Sequence, residues 1–591
     1  MVINIAIDFG TCNTVISYLN SDNIINHIHD NIAATVLIPS TLYFNFDEIN
    51  EDININININ KFELGKHYYI GTVANEQYNN FKNGSLYFYQ FKRFLGITSD
   101  NNFLKKFDND YLIDSDGIYF NIIKGKIKIS IIELIKLYFI GLKDLIMNAN
   151  ILEKNDKNID IIITTPAYFH DLQRLQFKQG VEMAGFNVTK MYNEPTAASI
   201  YYIHTYKKSD TSIGNTRGTM DTGDIRDIGG VGGSNRFIVY DLGGGTIDTT
   251  VIEYHYNDNT CEILDIDGNN SLGGIDIDNI IIENMYLKYN IDSKNVKNKS
   301  KMRKCAEDIK VNLTYMEKYN TILENIVMNN GDIKDVLKID YTKHAFNNLV
   351  NEIINTMIEP VIKMSKLYNI NNIIFIGGPT QIPLLQKKIE LHLSNMNGIG
   401  CTFTEGTFGG GGGGGGGCSN IGHGTTLYKT IVADGACYNY ESKITLLDIL
   451  PMNIGISKDD NNMLIMIKKN SKIPISCEKV FTTSHDCQRF IDITIYEGIE
   501  DDCTYNHIIG KYKLVGIPPL KKGAILINLL FKININGILN ISISGFKNPY
   551  NDDIKNFDYK LCENIKLISS YMAKELLKKI ILSKGPLTQN I

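Results

Sequence analysis

The 591-residue chain has no tryptophan, and it uses isoleucine and asparagine heavily, which reads as a bias of the coding genome rather than chemistry. Its ten cysteines are scattered, with no Cys-x-x-Cys pair and no Cys/His ligand spacing. Free thiols in a reducing compartment are expected instead of a disulfide framework or a zinc site. Neither sign of charge dominates: 59 basic against 65 acidic residues give a formal net charge of −6. That removes the electrostatic case for nucleic acid or an anionic membrane as the main partner. No apolar run is long and uninterrupted enough to span a bilayer. The N-terminus runs straight into a strand pattern with no basic n-region or cleavage site, so a cytoplasmic protein is expected. The composition, 43% hydrophobic and 21% charged, is that of a globular chain of several domains.

The informative stretch is Val239-Tyr240-Asp241-Leu242-Gly243-Gly244-Gly245-Thr246-Ile247-Asp248. The apolar run Phe237 to Tyr240 predicts a buried strand. Glycines after it let the backbone turn tightly and approach a phosphate. The carboxylates cannot bind phosphate directly, but they suit a hard cation such as Mg²⁺ or the orientation of a water. The start of the chain repeats the design in Asn4-Ile5-Ala6-Ile7-Asp8-Phe9-Gly10-Thr11-Cys12-Asn13-Thr14. Two strand–Asp–Gly–Thr turns more than 200 residues apart predict a duplicated α/β unit. Each half would offer one phosphate-holding hairpin to a shared cleft. A third glycine turn, Gly377-Gly378-Pro379-Thr380, follows the apolar strand Ile373–Ile376.

With Thr164-Thr165-Pro166-Ala167-Tyr168-Phe169, Asn193-Glu194-Pro195-Thr196, Leu446-Leu447-Asp448 and Gly516-Ile517-Pro518-Pro519 in the same order, the chain resembles the seventy-kilodalton heat-shock protein family of chaperones. The resemblance covers residues 1 to about 545. It implies an α/β actin-like (ribonuclease H-like) duplicated ATPase domain over 1–440, a linker over 441–450, an all-β peptide-binding sandwich over 451–548 and a short helical lid remnant over 549–591. The cofactors implied are ATP or ADP with Mg²⁺.

Roles follow residue by residue from the resemblance. Lys92 would neutralise the γ-phosphate and orient the attacking water. Asp8, Asp241 and Glu194 would hold Mg²⁺, largely through water, and Asp248 would support the water network. Thr11 and Thr246 would hydrogen-bond phosphates, with Gly10, Cys12, Gly243, Gly244, Gly245, Gly377 and Gly378 lining them. Adenosine would contact Glu307, Lys310, Thr314 and Gln381. Pro166, Arg174, Leu446, Leu447 and Asp448 would relay nucleotide state, and Ile456, Phe481, Ile491 and Ile493 would line a peptide pocket. Alone, a Lys92-Arg93 pair or the i, i+4, i+7 face of Arg303, Glu307 and Lys310 would read as ordinary charged surface.

Several residues depart from the family pattern. Cys12 stands where a second threonine is usual, and Ile275 where an acid is. Pro379 and Gln381 replace a serine and an arginine beside the adenine. Nine glycines, Gly409–Gly417, replace a short turn, with Cys418 nearest to an aspartate of the family. Asp459 takes the place of an apolar residue in the peptide domain. Ile53–Asn60 reads as a low-complexity surface hairpin, residues 207–235 as a flexible insertion, and Tyr559 to Leu582 as a helix.

The function implied is an ATP-dependent chaperone that binds and releases unfolded segments, as a monomer, with J-domain proteins and exchange factors as partners. A nucleotide-gated regulatory or co-chaperone-like protein with weak hydrolysis is the alternative. A metabolic kinase or filament-forming ATPase on the same fold has no use for the linker and β-domain.

Overall fold

The computed structural model describes residues 4–30, 32–45, 62–79, 86–96, 111–114, 117–122, 125–152, 159–212, 234–397, 427–442, 444–458, 460–547 and 566–569. The Ile53–Asn60 alternation, residues 213–233 of the expected insertion, the Gly409–Gly417 run with Cys418, and Asp459 lie outside them. The chain divides into two compact units, residues 1–169 with 176–446, and residues 447–591 with 170–175.

The first unit holds two sheets of matching topology. In the first, strand Ile5–Phe9 pairs antiparallel with Asn13–Leu19, which pairs with Ile25–His27. On its other side it pairs parallel with Ile159–Thr165, followed by Phe186–Asn193. In the second, Ser234–Leu242 pairs antiparallel with Ile247–His255, then Thr260–Asn269. Its other side pairs parallel with Ile373–Ile376. Near-continuous β-branched and aromatic runs suit these strands, because both faces are covered. Both turns close with the same bond: Gly10 N–H donates to Asn13 O and Gly243 N–H to Thr246 O, each at 3.0 Å.

Helix Ile131–Asn148 begins at a capping box in which Ser130 and Glu133 satisfy each other's backbone N–H. Its buried face carries Tyr138 and Phe139 against Phe9, whose ring also lies 5.5 Å from Phe91 and 5.6 Å from Phe177. This aromatic packing fixes the strand end bearing Asp8 and the 3₁₀ turn Phe91–Phe94 bearing Lys92. Helix Val296–Tyr315 buries Met302, Cys305, Ala306, Ile309 and Leu313 in the core beneath the second sheet. Helical periodicity turns Arg303, Glu307 and Lys310 to the other side.

The second unit contains two facing β-sheets. One runs Met463–Ile467, Asn453–Ser457, Phe490–Gly498, His507–Val515, Lys566–Ser569; the other runs Ile475–Thr482, Ile525–Ile533, Leu539–Lys547. Strand Ile525–Ile533 alternates inward and outward, and Leu529, Phe531 and Ile533 join Ile454, Met466 and Ile495 in the core. Of the helix expected over Tyr559–Leu582, the described residues take a different form. Lys566–Ser569 is a strand, with Leu567 opposite Leu514 and Lys566 opposite Val515. A short apolar run is compatible with either period, and the otherwise unpaired edge of His507–Val515 decides it. The sandwich therefore extends past the boundary at 548 expected from the sequence.

The insertion expected over 207–235 is trimmed at both ends, by helix Glu194–Ser212 and strand Ser234–Leu242. Among the described residues, no helix is long and apolar enough to cross a membrane.

Candidate nucleotide site

The two Asp-Gly hairpins, far apart in sequence, meet. A side chain on Gly244 would run into Cys12 Sγ, and a Cβ on Gly245 would lie 2.9 Å from Thr11 Oγ1 and 2.8 Å from Arg93 Nε. A side chain at 244 would displace Cys12 Sγ, so the two lobes approach closely at this turn. Gly377 has φ +84°, a backbone region that side chains disfavour, and its α-carbon faces the Leu242 carbonyl too closely for a Cβ. The second hairpin is also tied to helix Gly274–Tyr289: Gly274 N–H donates to Gly243 O at 3.0 Å and Ile275 N–H to Gly244 O at 2.9 Å.

Four carboxylates and one ammonium gather where these strands end. Asp241 and Asp248 sit directly opposite each other across the antiparallel pair. Asp8 Oδ1 accepts a bond from Thr164 Oγ1 at 2.7 Å, and Asp248 Oδ1 accepts one from Tyr168 N–H at 2.8 Å. Lys92 Nζ donates to Glu194 Oε1 at 2.7 Å while lying 5.8 Å from the Phe9 ring and 5.6 Å from the Phe169 ring. Lys92 is only 3% exposed. Burial pushes the Asp8 carboxyl up to about 7, helped by the nearby Glu194 charge and opposed by Lys92 and the Thr164 bond. Burial, then Glu194, Asp248 and Asp8, raise Asp241 well above the carboxylate range. One buried ammonium does not balance this much negative charge.

That imbalance fits a hard cation held by oxygen donors. Among the described residues, no three His, Cys, Asp or Glu side chains converge closely enough to ligate an ion directly. A Mg²⁺ ion here would be held through its water shell, which Asp8, Asp241 and Glu194 are placed to accept from.

The wall expected to hold adenosine is different. Lys310 Nζ donates to Asp278 Oδ2 at 2.7 Å and to Gly274 O at 3.2 Å. Burial opposes the Lys310 ammonium, yet Asp278 keeps it above the usual lysine range. Burial likewise lifts Asp278 to about 6 despite Lys310. Thr314 Oγ1 donates back to Lys310 O at 2.9 Å, Tyr315 Oη donates to Gln381 Oε1, and Glu307 is exposed. Pro379 sits near the start of the 3₁₀ turn Gly378–Gln381, where a missing N–H leaves no helical bond unmade. Burial raises the Cys12 thiol to about 12, with Glu307 adding to it.

The remaining expected residues lie elsewhere. Thr445 N–H donates to Asn259 O at 3.0 Å, so strand Thr445–Leu447 edges the second sheet and Leu446 is half-buried. Asp448 Oδ1 accepts from Ile449 N–H at 2.8 Å. Pro166 follows strand Ile159–Thr165, and Arg174 lies on helix Asp171–Met183. Ile456, Phe481 and Ile493 pack against the sandwich core, and Ile491 and Ile493 against Leu514 and Ile527.

Arg93 was not singled out from sequence. Its Nη2 lies 2.6 Å from Asp276 Oδ2 and donates to Gly245 O at 3.3 Å. Asp276 Oδ2 also accepts from Gly273 N–H at 2.8 Å. The residue after Lys92 thus braces the second hairpin from the opposite lobe. Its only sequence signal was its place beside Lys92.

A family model described as Hsp70 protein matches residues 61–396 and 423–557, well over half of the chain. The chain is 29% identical over 391 residues to the chaperone protein DnaK of Endomicrobium trichonymphae, covering 64% of this chain and 56% of that protein. It is 29% identical over 394 residues to the chaperone protein DnaK of Thermosipho africanus, covering 64% and 58%. Over a longer span, 564 residues at 26% identity align with the chaperone protein DnaK of Psychrobacter cryohalolentis, covering 91% and 74%. The first two matches span less than two thirds of those relatives' length. With the paired Asp-Gly hairpins and the sandwich beyond them, this match makes the chain a member of the Hsp70 protein family.

Proposed function

We propose that the chain is an ATP-dependent chaperone on the actin-like fold, coupling slow ATP hydrolysis to binding and release of unfolded polypeptide segments. The observation that carries this is the buried Lys92–Glu194 pair, set among Asp8, Asp241 and Asp248 where the two hairpins touch. Phosphoryl transfer to water needs a positioned nucleophile and neutralised phosphate oxygens. Lys92, held by Glu194 and two aromatic rings, orients the water and faces the γ-phosphate. Thr11 and Thr246 donate to phosphate oxygens, and Gly243 and Gly378 leave room for them. Asp8, Asp241 and Glu194 would hold the waters of a Mg²⁺ ion, which when bound would supply charge neutralisation to the phosphate oxygens. Glu307, Lys310, Thr314 and Gln381 line the nucleoside.

On this reading residues 1–440 bind nucleotide, 441–450 link, and a sandwich from 451 that includes Lys566–Ser569 binds peptide beside Ile456, Phe481, Ile491 and Ile493. Pro166, Arg174 and Leu446 to Asp448 carry the signal. J-domain proteins and an exchange factor are the partners, and the protein works as a cytoplasmic monomer.

Single-turnover ATP hydrolysis with and without an apolar peptide tests the reading. Turnover that peptide accelerates and Lys92→Ala abolishes is expected. Absence of turnover despite ATP binding overturns the enzyme and leaves the second reading, a nucleotide-gated regulatory protein. Cys12, a thiol among the phosphate-facing residues, favours that second reading.

A further inference from the structure

We propose that Arg303 and the tyrosines Tyr78 and Tyr89 form a cation–π clasp over the cleft that sets how fast bound nucleotide leaves. The inference rests on reading the cleft as a nucleotide site.

Helix Val296–Tyr315 belongs to the second lobe, because its buried face packs with Tyr240, Ile247 and Val251. Tyr78 and Tyr89 belong to the first. They lie on helix Gly71–Asn79 and strand Leu86–Tyr89, around the small sheet with Thr41–Phe44 and Tyr68–Ile70. That sheet is held to the first lobe where Ile70 packs against Gly141 of helix Ile131–Asn148. The Arg303 guanidinium lies 4.0 Å from the Tyr89 ring centroid and 5.8 Å from that of Tyr78. Its Nη2 also donates to Tyr78 Oη at 3.4 Å.

The tyrosines form a fixed platform. Tyr78 stacks on Tyr87 with centroids 4.0 Å apart and planes 8° from parallel, and Tyr87 lies 5.9 Å from Tyr89. Tyr87 Oη donates to Asn75 Oδ1 at 2.8 Å, and Thr41 Oγ1 donates to the same oxygen at 2.9 Å. A platform held this way needs no ordering when the cation arrives.

Position on the helix gives the clasp its role. Arg303, Glu307 and Lys310 share one face, with Arg303 roughly 10 Å along the axis from Lys310. Lys310 reaches Gly274 O beside the glycine hairpin. The face therefore runs from the phosphate end outward, and its outer end is bridged to the opposite lobe. A nucleotide lying along Glu307 and Lys310 is enclosed between that bridge and the hairpins, and its departure requires the bridge to open.

Release of N-methylanthraniloyl-ADP from the full chain, chased with excess ATP, tests it. Arg303→Ala and Tyr89→Leu are expected to speed release roughly two- to thirtyfold. Tyr89→Phe, which keeps the π face, is expected to release slowly like the unmodified chain. Hydrolysis of pre-bound ATP in a single turnover is expected to be unchanged in all three. Unchanged release in Arg303→Ala, or equal acceleration by Tyr89→Phe and Tyr89→Leu, overturns the clasp alone. Failure of the unmodified chain to bind the labelled ADP overturns the nucleotide reading and the clasp with it.

Discussion

The two ends of the cleft solve opposite problems. At the end proposed to face phosphates, Asp8, Asp241, Asp248 and Glu194 crowd around a single ammonium, and burial with the neighbouring carboxylates pushes Asp8 and Asp241 up. At the end proposed to hold the nucleoside, Lys310 already has Asp278, Thr314 has its own helix, and Gln381 has Tyr315. On the reading proposed above, the first end holds more negative charge than its one ammonium balances, while at the second Lys310, Thr314 and Gln381 have protein partners and, among the described residues, only Asp278 Oδ1 of that cluster is buried without a hydrogen bond. A ligand gains most where the protein's own groups are poorly compensated. Phosphates and their cation should therefore dominate binding here, with the base contributing little.

The sharpest way to break this contrast is Lys92→Ala. It leaves Glu194 buried without its cation, so hydrolysis should fall by about a hundredfold or more and stability by about 3–5 kcal/mol. Single-turnover rates and urea midpoints measure the two effects. Asp278 probes the other end through pH. Its carboxyl titrates near 6 in the folded state against a reference of 3.8. The folded protein therefore binds more protons than the unfolded one between these values, and stability falls as pH rises through that window. Asp278→Asn should flatten the fall by about 1–2 kcal/mol between pH 4 and 7, as read from urea unfolding across that range. A smaller gain is expected from Cys12→Thr, which restores a hydroxyl donor at the phosphates. ATP affinity should tighten by about threefold to tenfold by titration calorimetry. Tyr315→Phe should change ATP affinity by less than about threefold, since it removes only the bond to Gln381. A larger loss there would erase the contrast.

Much of this was legible in the sequence wherever chemistry is local. The Asp-Gly turns and the strand Ile373–Ile376 each announce themselves within a dozen residues. The Lys92–Glu194 pair joins residues 102 apart and was reached only through the family resemblance. Arg93–Asp276, 183 residues apart, and the Arg303 contact with Tyr78, 225 apart, were not reached. Nothing near Arg303 in sequence distinguishes it from a solvated helix charge; the opposite lobe gives it a partner. Lys566–Ser569 failed for a similar reason, because an available sheet edge outweighs a weak local period.

The contact of Cys12 with Gly244 has a mechanical meaning. On the reading proposed above it acts as a fulcrum together with the Arg93–Asp276 pair beside it, and the lobes touch again, further out, at Arg303. On such a lever, a slight tilt at the hairpins becomes a wide gape at the tyrosines. The atoms nearest the chemistry would then move least, while the rim that admits and discharges the ligand moves most.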